Sequence, residues 1–256
     1  MTGLTSMDAI ALAVFLLSWI GYHIAVESSF FSSKSLNDMM HVYRAQWMER
    51  MLWRDVRIID TQITAGLQNG TSFFASTSLF AIGGTLTLLR ITDDAITLFA
   101  NLPFGLQMSR TMWEVKILGL ALIFTYAFFK FAWSYRLFNY GAILLGAAPP
   151  HEESALPHAK AFAKYTAQLF TDAGRQFNRG QRSLFFALAY IGWFASPTLL
   201  LVTDFAILCV MSWRQFYSPA HDAIAALSRE APFQLGEATQ SGSPFVWTNT
   251  DQNKTV

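Results

Sequence analysis

Ionisable side chains within or beside long apolar stretches are the first candidates for chemistry in this sequence. They are His23, Glu27, Lys130 and Asp204. A charge at the centre of a bilayer costs about 2.5 to 3.5 kcal/mol on insertion scales, so each residue needs a partner, water or an interface. His23 and Glu27 are four apart on one helix face, and Lys130 is expected at a similar depth. These three could bind a proton, an ion or a headgroup, or could satisfy one another, whereas Asp204 is expected to lie apart, at a subunit contact or the outer boundary.

A second polar group is expected at the inner boundary of the membrane. Guanidinium groups there could bind lipid phosphate, and polar side chains could equally cap neighbouring helix ends. The members of this group are Arg54, Arg57, Arg136, Asn139 and Arg179.

The sequence contains no familiar catalytic or metal-binding pattern. The HEES stretch at 151–154 lacks the two His residues, four apart, that place metal ligands on one helix face. Cys209 has no adjacent His or Lys to activate it, so an inert buried thiol is expected. A single Cys also excludes an internal disulfide framework. We therefore predict no catalytic residue, no metal and no cofactor.

The composition is that of a membrane protein. Of 256 residues, 53% are hydrophobic and 14% are charged, whereas soluble chains carry roughly 25% charged residues. The formal net charge of +1 supplies no broad basic surface, which argues against a nucleic-acid partner. Membrane lipid is the expected surrounding.

Four segments are long and apolar enough to cross a bilayer, which takes about 20 residues for roughly 30 Å of hydrocarbon. The fourth is longer than one crossing requires, so it is expected to be tilted, bent at Pro197 or extended past the lipid. The predicted fold class is all-α, a polytopic membrane protein whose transmembrane domain covers residues 1–230. Residues 231–256 are polar and predicted to be disordered. The predicted spans run from about Ala9 to Val26, Ser72 to Leu89, Lys116 to Arg136 and Leu184 to Met211.

An even number of spans puts both termini on one side. Lys and Arg are concentrated in the connections between spans one and two and between spans three and four. Because such loops are retained in the cytoplasm, both termini are predicted outside it, in a bacterial inner membrane.

Each of these two connections is predicted to contain an amphipathic helix, because apolar residues recur every three or four positions. The two helices could lie in the headgroup region, or pack on each other and on the bundle. The second arrangement is preferred, because Gly174 and Gly180 suit close packing. The expected apolar faces are Leu36, Met40, Tyr43, Trp47 and Met51 in the first helix, within 36–56, and Phe162, Tyr165, Leu169, Ala173 and Phe177 in the second, after Pro157.

Several stretches together resemble a known family. They are YRAQWMERMLWRDVRIIDTQITAGLQNG, TSFFASTSLFAIGG, FFKFAWSYRLFNYGAILLGA and RQFNRGQRSLFFALAY. The chain resembles, from about Ile20 to Tyr217, the domain-of-unknown-function 599 family of four-span membrane proteins. The resemblance implies the fold and no mechanism. Its most specific matches are Ser134, Arg136 and Asn139, together with Asn178, Arg179 and Gly180.

Small residues in the second span favour helix packing. Gly66 and Gly70 form a GxxxG step, and Gly83 and Gly84 lie further along the same span. The first functional hypothesis is a structural or accessory subunit that self-associates or binds a larger membrane complex. The alternative is an oligomeric transporter or channel for an ion or small solute using the intramembrane polar residues, and an intramembrane enzyme is a weaker third.

Overall fold

The computed structural model describes residues 5–27, 36–100 and 108–230, and every element in these ranges is helical. Four stretches are long and apolar enough to cross a membrane: Ser6–Glu27, Ile58–Arg90, Arg110–Gly146 and Pro197–Glu230. The predicted all-α fold with four apolar spanning segments is confirmed. The predicted disordered tail, 231–256, lies outside the described residues. In chain order the helices are α1 (Ser6–Glu27), α2 (Leu36–Leu52), α3 (Ile58–Arg90), α4 (Thr92–Ala100), α5 (Arg110–Gly146), α6 (Pro157–Ala195), α7 (Pro197–Phe216) and α8 (Pro219–Glu230), with a short 3-10 turn, His151–Glu153, before α6.

The antiparallel pair α5 and α6 forms the axis of the molecule. Two glycines allow the helices to approach closely, because each accepts an aromatic ring where a methyl group would collide. A Cβ at Gly119 would lie 2.0 Å from the Tyr190 hydroxyl oxygen, and one at Gly180 would lie 2.7 Å from the Phe131 ring. The helices contain 37 and 39 residues. At about 1.5 Å per residue both are nearly twice as long as the roughly 30 Å hydrocarbon layer is thick.

Two hydrophobic cores are stacked along this axis. We call the part of the molecule around the first core the upper layer and the part around the second core the lower layer. Helices α1 and α7 contribute to the first core and α2 to the second, whereas α5 and α6 run through both. The first core includes Phe15, Trp113, Phe186 and Trp193, and the second includes Met48, Met51, Phe138 and Phe170.

Helix α3 packs along α5 through small hydroxyl side chains. Its buried positions Thr64, Thr71, Ser78 and Thr85 recur every seventh residue and so lie on one face. Each hydroxyl donates to the carbonyl four residues earlier, as Thr71 does to Leu67 at 2.7 Å. These polar groups are therefore satisfied within α3, and their small size lets the two backbones approach.

The predicted fourth span, Leu184–Met211, is not one helix: the chain changes direction at Pro197, one of the expected alternatives, but by a full reversal and not by a bend. The chain turns back at Ser196, so that the end of α6 and the start of α7 form a helical hairpin. Ser196 is extended, its hydroxyl accepts from the backbone N–H of Leu199 at 2.9 Å, and Pro197 is the first residue of α7. A proline favours an extended preceding residue and is well accommodated at the first helical position. The hydroxyl of Thr203 then joins the two arms by donating to the Ala189 carbonyl at 2.8 Å.

Because of this hairpin, the described chain ends on the opposite side of the upper layer from the side where it begins. The Trp193 indole N–H, near the end of α6, donates at 2.8 Å to Asp8, near the start of α1; this side is the Asp8 end of the upper layer. The opposite side is the Glu27 end, where α7 finishes, since Met211 and Gln215 line one cavity with Tyr22 and Val26. Ser6 and Glu230 therefore lie at opposite ends of the upper layer. The described chain therefore does not bring its two ends together, because the predicted fourth span is two antiparallel arms; the side of the membrane that each terminus faces stays a prediction.

The two helices predicted between the spans are present and pack on each other. Trp47 of α2 contacts Phe170 of α6, with ring centroids 5.1 Å apart. The predicted apolar faces are reproduced only in part: Met51 and Ala173 are fully buried, whereas Tyr165 is 65% exposed. The lower-layer part of α6 also buries several alanines, which a search for large apolar residues overlooks.

Candidate functional site

An ionic cluster joins α1 and α6 at the Glu27 end. Arg179 and Arg182 are three residues apart, so both project from one face of α6 towards Glu27, the last residue of α1. Arg179 donates to both carboxylate oxygens, at 3.0 and 2.5 Å, and Arg182 donates to one at 2.5 Å. Hydrogen bonding to Glu27 raises the pKa of Arg179 above its ordinary value. This cluster fixes the end of α1 to the middle of α6.

His23 belongs to the same cluster, and Lys130 lies beside it. His23 Nδ1 is 3.4 Å from the Glu27 carboxylate, on the helix face that the sequence predicts. Lys130 Nζ is 5.1 Å from the centre of the Tyr126 ring. Among the described contacts Lys130 makes no direct ion pair with Glu27. Sequence reasoning therefore placed His23 beside Glu27 but missed both guanidinium partners of that carboxylate, since it assigned Arg179 to the boundary group and did not single out Arg182.

Asp204 lies apart from that cluster, as expected. It is on α7, only 2% exposed, and accepts a hydrogen bond from the Ser18 hydroxyl of α1. Its Oδ1 atom has no hydrogen-bond partner among the described residues. Asp204 thus contacts the bundle interior and not the outer aqueous boundary.

Two arginines of the predicted boundary group hold the chain around the start of α3. Arg54 forms an ion pair with Asp60, a fully buried carboxylate that also accepts from the Trp47 indole at 2.6 Å. Arg57 donates to the carbonyls of Ala148 and Pro149, at 3.0 and 2.5 Å. Both guanidinium groups are engaged by the protein itself, Arg54 by a carboxylate and Arg57 by backbone carbonyls that follow the end of α5.

Besides Arg179 of the Glu27 cluster, two further boundary residues lie on α5 and have different roles. The Asn139 side-chain oxygen accepts from Gln68 of α3 at 2.6 Å, which connects the two helices. Arg136 is exposed, donates to the Tyr140 hydroxyl at 2.7 Å and lies over that ring. Arg136 is charged and exposed to the surroundings, whereas Asn139 is neutral and bonds the neighbouring helix.

Chemically reactive groupings are few. In the ranges that the structure describes, no three His, Cys, Asp or Glu side chains converge as a metal site would require. His158 contacts Glu153 at 2.8 Å, and His151 lies against the Trp53 ring. Cys209 is exposed on α7, so the expectation of a buried thiol is wrong.

Comparison with known families decides the classification. The family described as "Protein of unknown function, DUF599" matches residues 10–220. The chain belongs to this family. The match begins in α1 and ends at the start of α8, so the DUF599 region contains both layers and the Glu27 cluster. No curated protein and no solved structure matches the chain.

In this DUF599 protein the four glycines of α3 do not pack within the described chain. Gly66, Gly70, Gly83 and Gly84 have no heavy atom within 4 Å of the position that a Cβ would occupy. The face of α3 that contacts α5 is instead the hydroxyl-bearing one. The glycines are therefore available to a molecule outside this chain.

A second polar network of the DUF599 protein, at the Asp8 end, was not predicted. The buried Lys116 ammonium donates to the Trp193 carbonyl at 2.6 Å, while the indole of the same residue donates to Asp8. Asp8 also accepts from the backbone and hydroxyl of Thr5. The sequence does place two charged residues, Asp8 and Lys116, beside predicted spans. Their common partner, Trp193, comes near them only because α6 and α7 form a hairpin.

Proposed function

We propose that this DUF599 protein is a non-enzymatic membrane accessory protein that self-associates through α3. The observation that carries the proposal is the exposed glycine-bearing face of that helix. In a membrane, helices associate where small residues let their backbones approach. A second copy of the chain would fill this face.

The geometry of α3 supports an interface on its outer side. At 100° per residue, Gly66, Gly70 and Gly84 lie on one side of α3, about 90° to 130° around the helix from the mean direction of the buried hydroxyl row. Between these glycines Phe73 and Phe80 are 65% and 80% exposed. Along the outer face, glycines that leave the backbone uncovered therefore alternate with large aromatic rings. The rings of one copy could pack against the glycines of a second copy.

The chemistry of the outer face favours an identical partner. No ionisable residue lies between Asp60 and Arg90, so two parallel copies would meet without charge repulsion at any depth. Asn69 is exposed beside Gly66 and Gly70. Its amide both donates and accepts, so it could hydrogen-bond to its own symmetry copy.

The basic residues support an orientation in a bacterial inner membrane, with lipid around the upper layer. The lower layer and the Glu27 end carry most of the Lys and Arg residues, which remain on the cytoplasmic side of such membranes. In this proposal Ser6 faces outwards and Glu230 faces the cytoplasm. Arg214 and Arg229 then lie on the cytoplasmic side with the other basic residues. If both termini were outside, these two arginines would lie on the outer side.

The test is the mass of the full chain in nanodiscs, with α3 variants. Gly70→Leu and Gly84→Leu are expected to convert a dimer or small oligomer into a monomer. Gly21→Leu is the matched control, because this exposed glycine of α1 also has open space around it. A monomeric parent protein, or α3 variants that associate as the control does, would refute the proposal. Co-purification of a different protein in fixed stoichiometry, lost in the α3 variants, would refute self-association and show that α3 binds another subunit.

A second candidate, an oligomeric channel or transporter, is favoured by one observation. Asp204 is buried in a spanning helix with one oxygen unpaired among the described residues. Against a path between α1 and α6 of one copy, Phe15, Trp19 and Phe186 pack on one another in the aromatic core that these two helices share. Loss of a solute or ion flux in Lys130→Met and Asp204→Asn, at unchanged protein level, would favour transport over the accessory role.

A further inference from the structure

Two adjoining cavities open where the upper layer meets the lower layer. Their volumes are about 280 and 180 Å³, and both are lined by Val26, Asn37, Asn178 and Arg182. They lie among α1, α2, α6 and α7. Because they share four lining residues, we treat them as one recess, named the junction cavity.

The described lining of the junction cavity is strongly basic. It contains five guanidinium groups and a single carboxylate, that of Glu27, which is already bound by two of them. The remaining lining groups are mostly amides, hydroxyls and an imidazole, and these can donate hydrogen bonds. The cavity therefore has an excess of positive charge and of donors. The guanidinium groups belong to Arg44, Arg175, Arg179, Arg182 and Arg214.

Arg44 is the least compensated of these charges. The described side chains give it neither a hydrogen bond nor an ion pair, and burial, with a further contribution from Arg175, lowers its pKa below the ordinary value. It lies over Gly174, where a Cβ would be 2.8 Å from Nη2. Arg175 has only a 3.4 Å contact with the exposed Asp172. The Arg175 side chain is 54% exposed, so solvent screens part of its repulsion with Arg44, and a bound anion would remove the remainder.

Two buried donors of the cavity lining also lack partners among the described residues. They are Arg182 Nε and Gln215 Nε2. Leaving a buried donor unsatisfied costs about 1 to 3 kcal/mol, so such groups usually bind an acceptor. Both donors, like Arg44, would be satisfied by oxygen atoms that carry negative charge.

From this convergence we infer that the junction cavity binds a phosphate-bearing anion, with Arg44, Arg175, Arg182 and Gln215 as its principal donors. Planar guanidinium groups match the geometry of phosphate oxygens and bind them with short, charge-assisted hydrogen bonds. The site differs from the boundary group predicted from sequence, of which only Arg179 lines the cavity. It is also independent of α3 and of self-association.

The anion could be a lipid headgroup or a soluble phosphate, because the cavity lies where apolar helix surface gives way to charged side chains. The full-length protein in a phosphate-free detergent separates the two sources. Inorganic phosphate is tested by thermal shift, and phosphatidic acid by native mass spectrometry with phosphatidylcholine as the comparison lipid. A response to phosphate identifies a soluble ligand, and selective retention of phosphatidic acid identifies a lipid; either supports the site.

Variants decide whether the response comes from the junction cavity. Arg44→Gln is expected to bind the responding probe about tenfold to a hundredfold more weakly, the range that one or two charge-assisted hydrogen bonds provide. Gln215→Met should weaken binding to a smaller extent. Arg50→Gln is the matched control, because Arg50 is an exposed residue of the same helix outside the cavity lining.

The stability of the ligand-free protein provides a second readout. If Arg44 is held ready for an anion, Arg44→Gln should unfold at the same or a higher temperature than the parent protein without ligand, since it removes an uncompensated charge. A lower midpoint without ligand would show Arg44 to be a structural residue and would overturn the inference. So would equal probe affinity in Arg44→Gln and Arg50→Gln, or a parent protein that binds neither probe.

Discussion

The indole N–H of Trp193 donates to the buried carboxylate of Asp8 at 2.8 Å, although 185 residues separate them along the chain. The Trp193 backbone carbonyl accepts from Lys116 at 2.6 Å. One residue at the end of α6 thereby joins the starts of α1 and α5. Trp193 therefore connects α1, α5 and α6 at the Asp8 end of the bundle.

Replacing Trp193 by Phe should therefore destabilise the protein while retaining an aromatic ring. We expect the free energy of unfolding to fall by about 1 to 3 kcal/mol, because Asp8 loses a buried donor. Thermal or denaturant unfolding in detergent measures the change. Trp213→Phe is the control, since Trp213 is 55% exposed; equal midpoints for the two variants would show that the Asp8 contact contributes little.

Asp204→Asn should leave the fold intact and raise its stability by about 1 kcal/mol, since a neutral amide is cheaper to bury than a carboxylate with one unpaired oxygen. The amide oxygen can still accept from Ser18. Unfolding midpoints are compared with those of Asp55→Asn, at an exposed position outside the spans. A marked loss of stability in Asp204→Asn alone would mean that the negative charge has a partner beyond the described residues.

Ser78→Leu should separate α3 from α5. Ser78 is fully buried in the row of small hydroxyl residues, and overpacking such a position costs about 1 to 3 kcal/mol. Ser72→Leu makes the same change at an exposed site of the same helix. Protease sensitivity and thermal midpoints should distinguish the two variants, and identical behaviour would show that close α3–α5 packing is dispensable.

Glu49 predicts a pH dependence in the lower layer. Burial raises its pKa above the ordinary value of 4.5, with Lys160 opposing the shift. The folded protein therefore holds this proton more tightly than the unfolded chain, so ionisation costs stability as pH rises through the ordinary value towards the raised one. Glu49→Gln lacks that cost. Its midpoint should exceed that of the parent protein by more at pH 7 than at pH 4, whereas Glu152→Gln, on an exposed loop position, should show no such trend.

The opposite placement of Ser6 and Glu230 can be tested by labelling. In a Cys209→Ser background, Met7→Cys is expected to react with a membrane-impermeant maleimide in intact spheroplasts. Leu227→Cys should react only after permeabilisation. Both positions are roughly half exposed, at 50% and 46%, so accessibility of the side chain is matched. Labelling of both cysteines in intact cells would restore the arrangement with both ends outside.

The parts of the fold that depend on local hydrophobicity could be predicted from the sequence. The apolar runs of α1, α3 and α5 exceed what a bilayer crossing needs, so their positions follow from composition alone. The second half of α6 could not be found in this way. Only 13 residues of α6 follow Arg182, which is too few for a span, and the apolar sequence that continues into α7 hides the boundary at Ser196.

The candidate sites show the same division between local and distant information. The pairing of His23 with Glu27 follows from helix periodicity, and it is present. The excess of guanidinium groups in the junction cavity does not follow from periodicity, because Arg44 and Arg175 come from helices more than a hundred residues apart in sequence. Likewise, the sequence predicts that the glycines of α3 serve helix packing, and only the three-dimensional structure shows that the described chain leaves them uncovered, so that role stays a prediction.

The helical hairpin also constrains how the protein is made. From Ser183 to Ala195 α6 rises only about 20 Å, which is too short to cross roughly 30 Å of hydrocarbon alone. Its polar partners, Asp8 and Lys116, belong to helices that are synthesised earlier. The short arm of the hairpin is therefore synthesised after both helices whose polar groups it bonds. We expect a chain that lacks α1 to leave the Trp193 indole without its carboxylate partner, and so to expose the end of α6 to proteolysis.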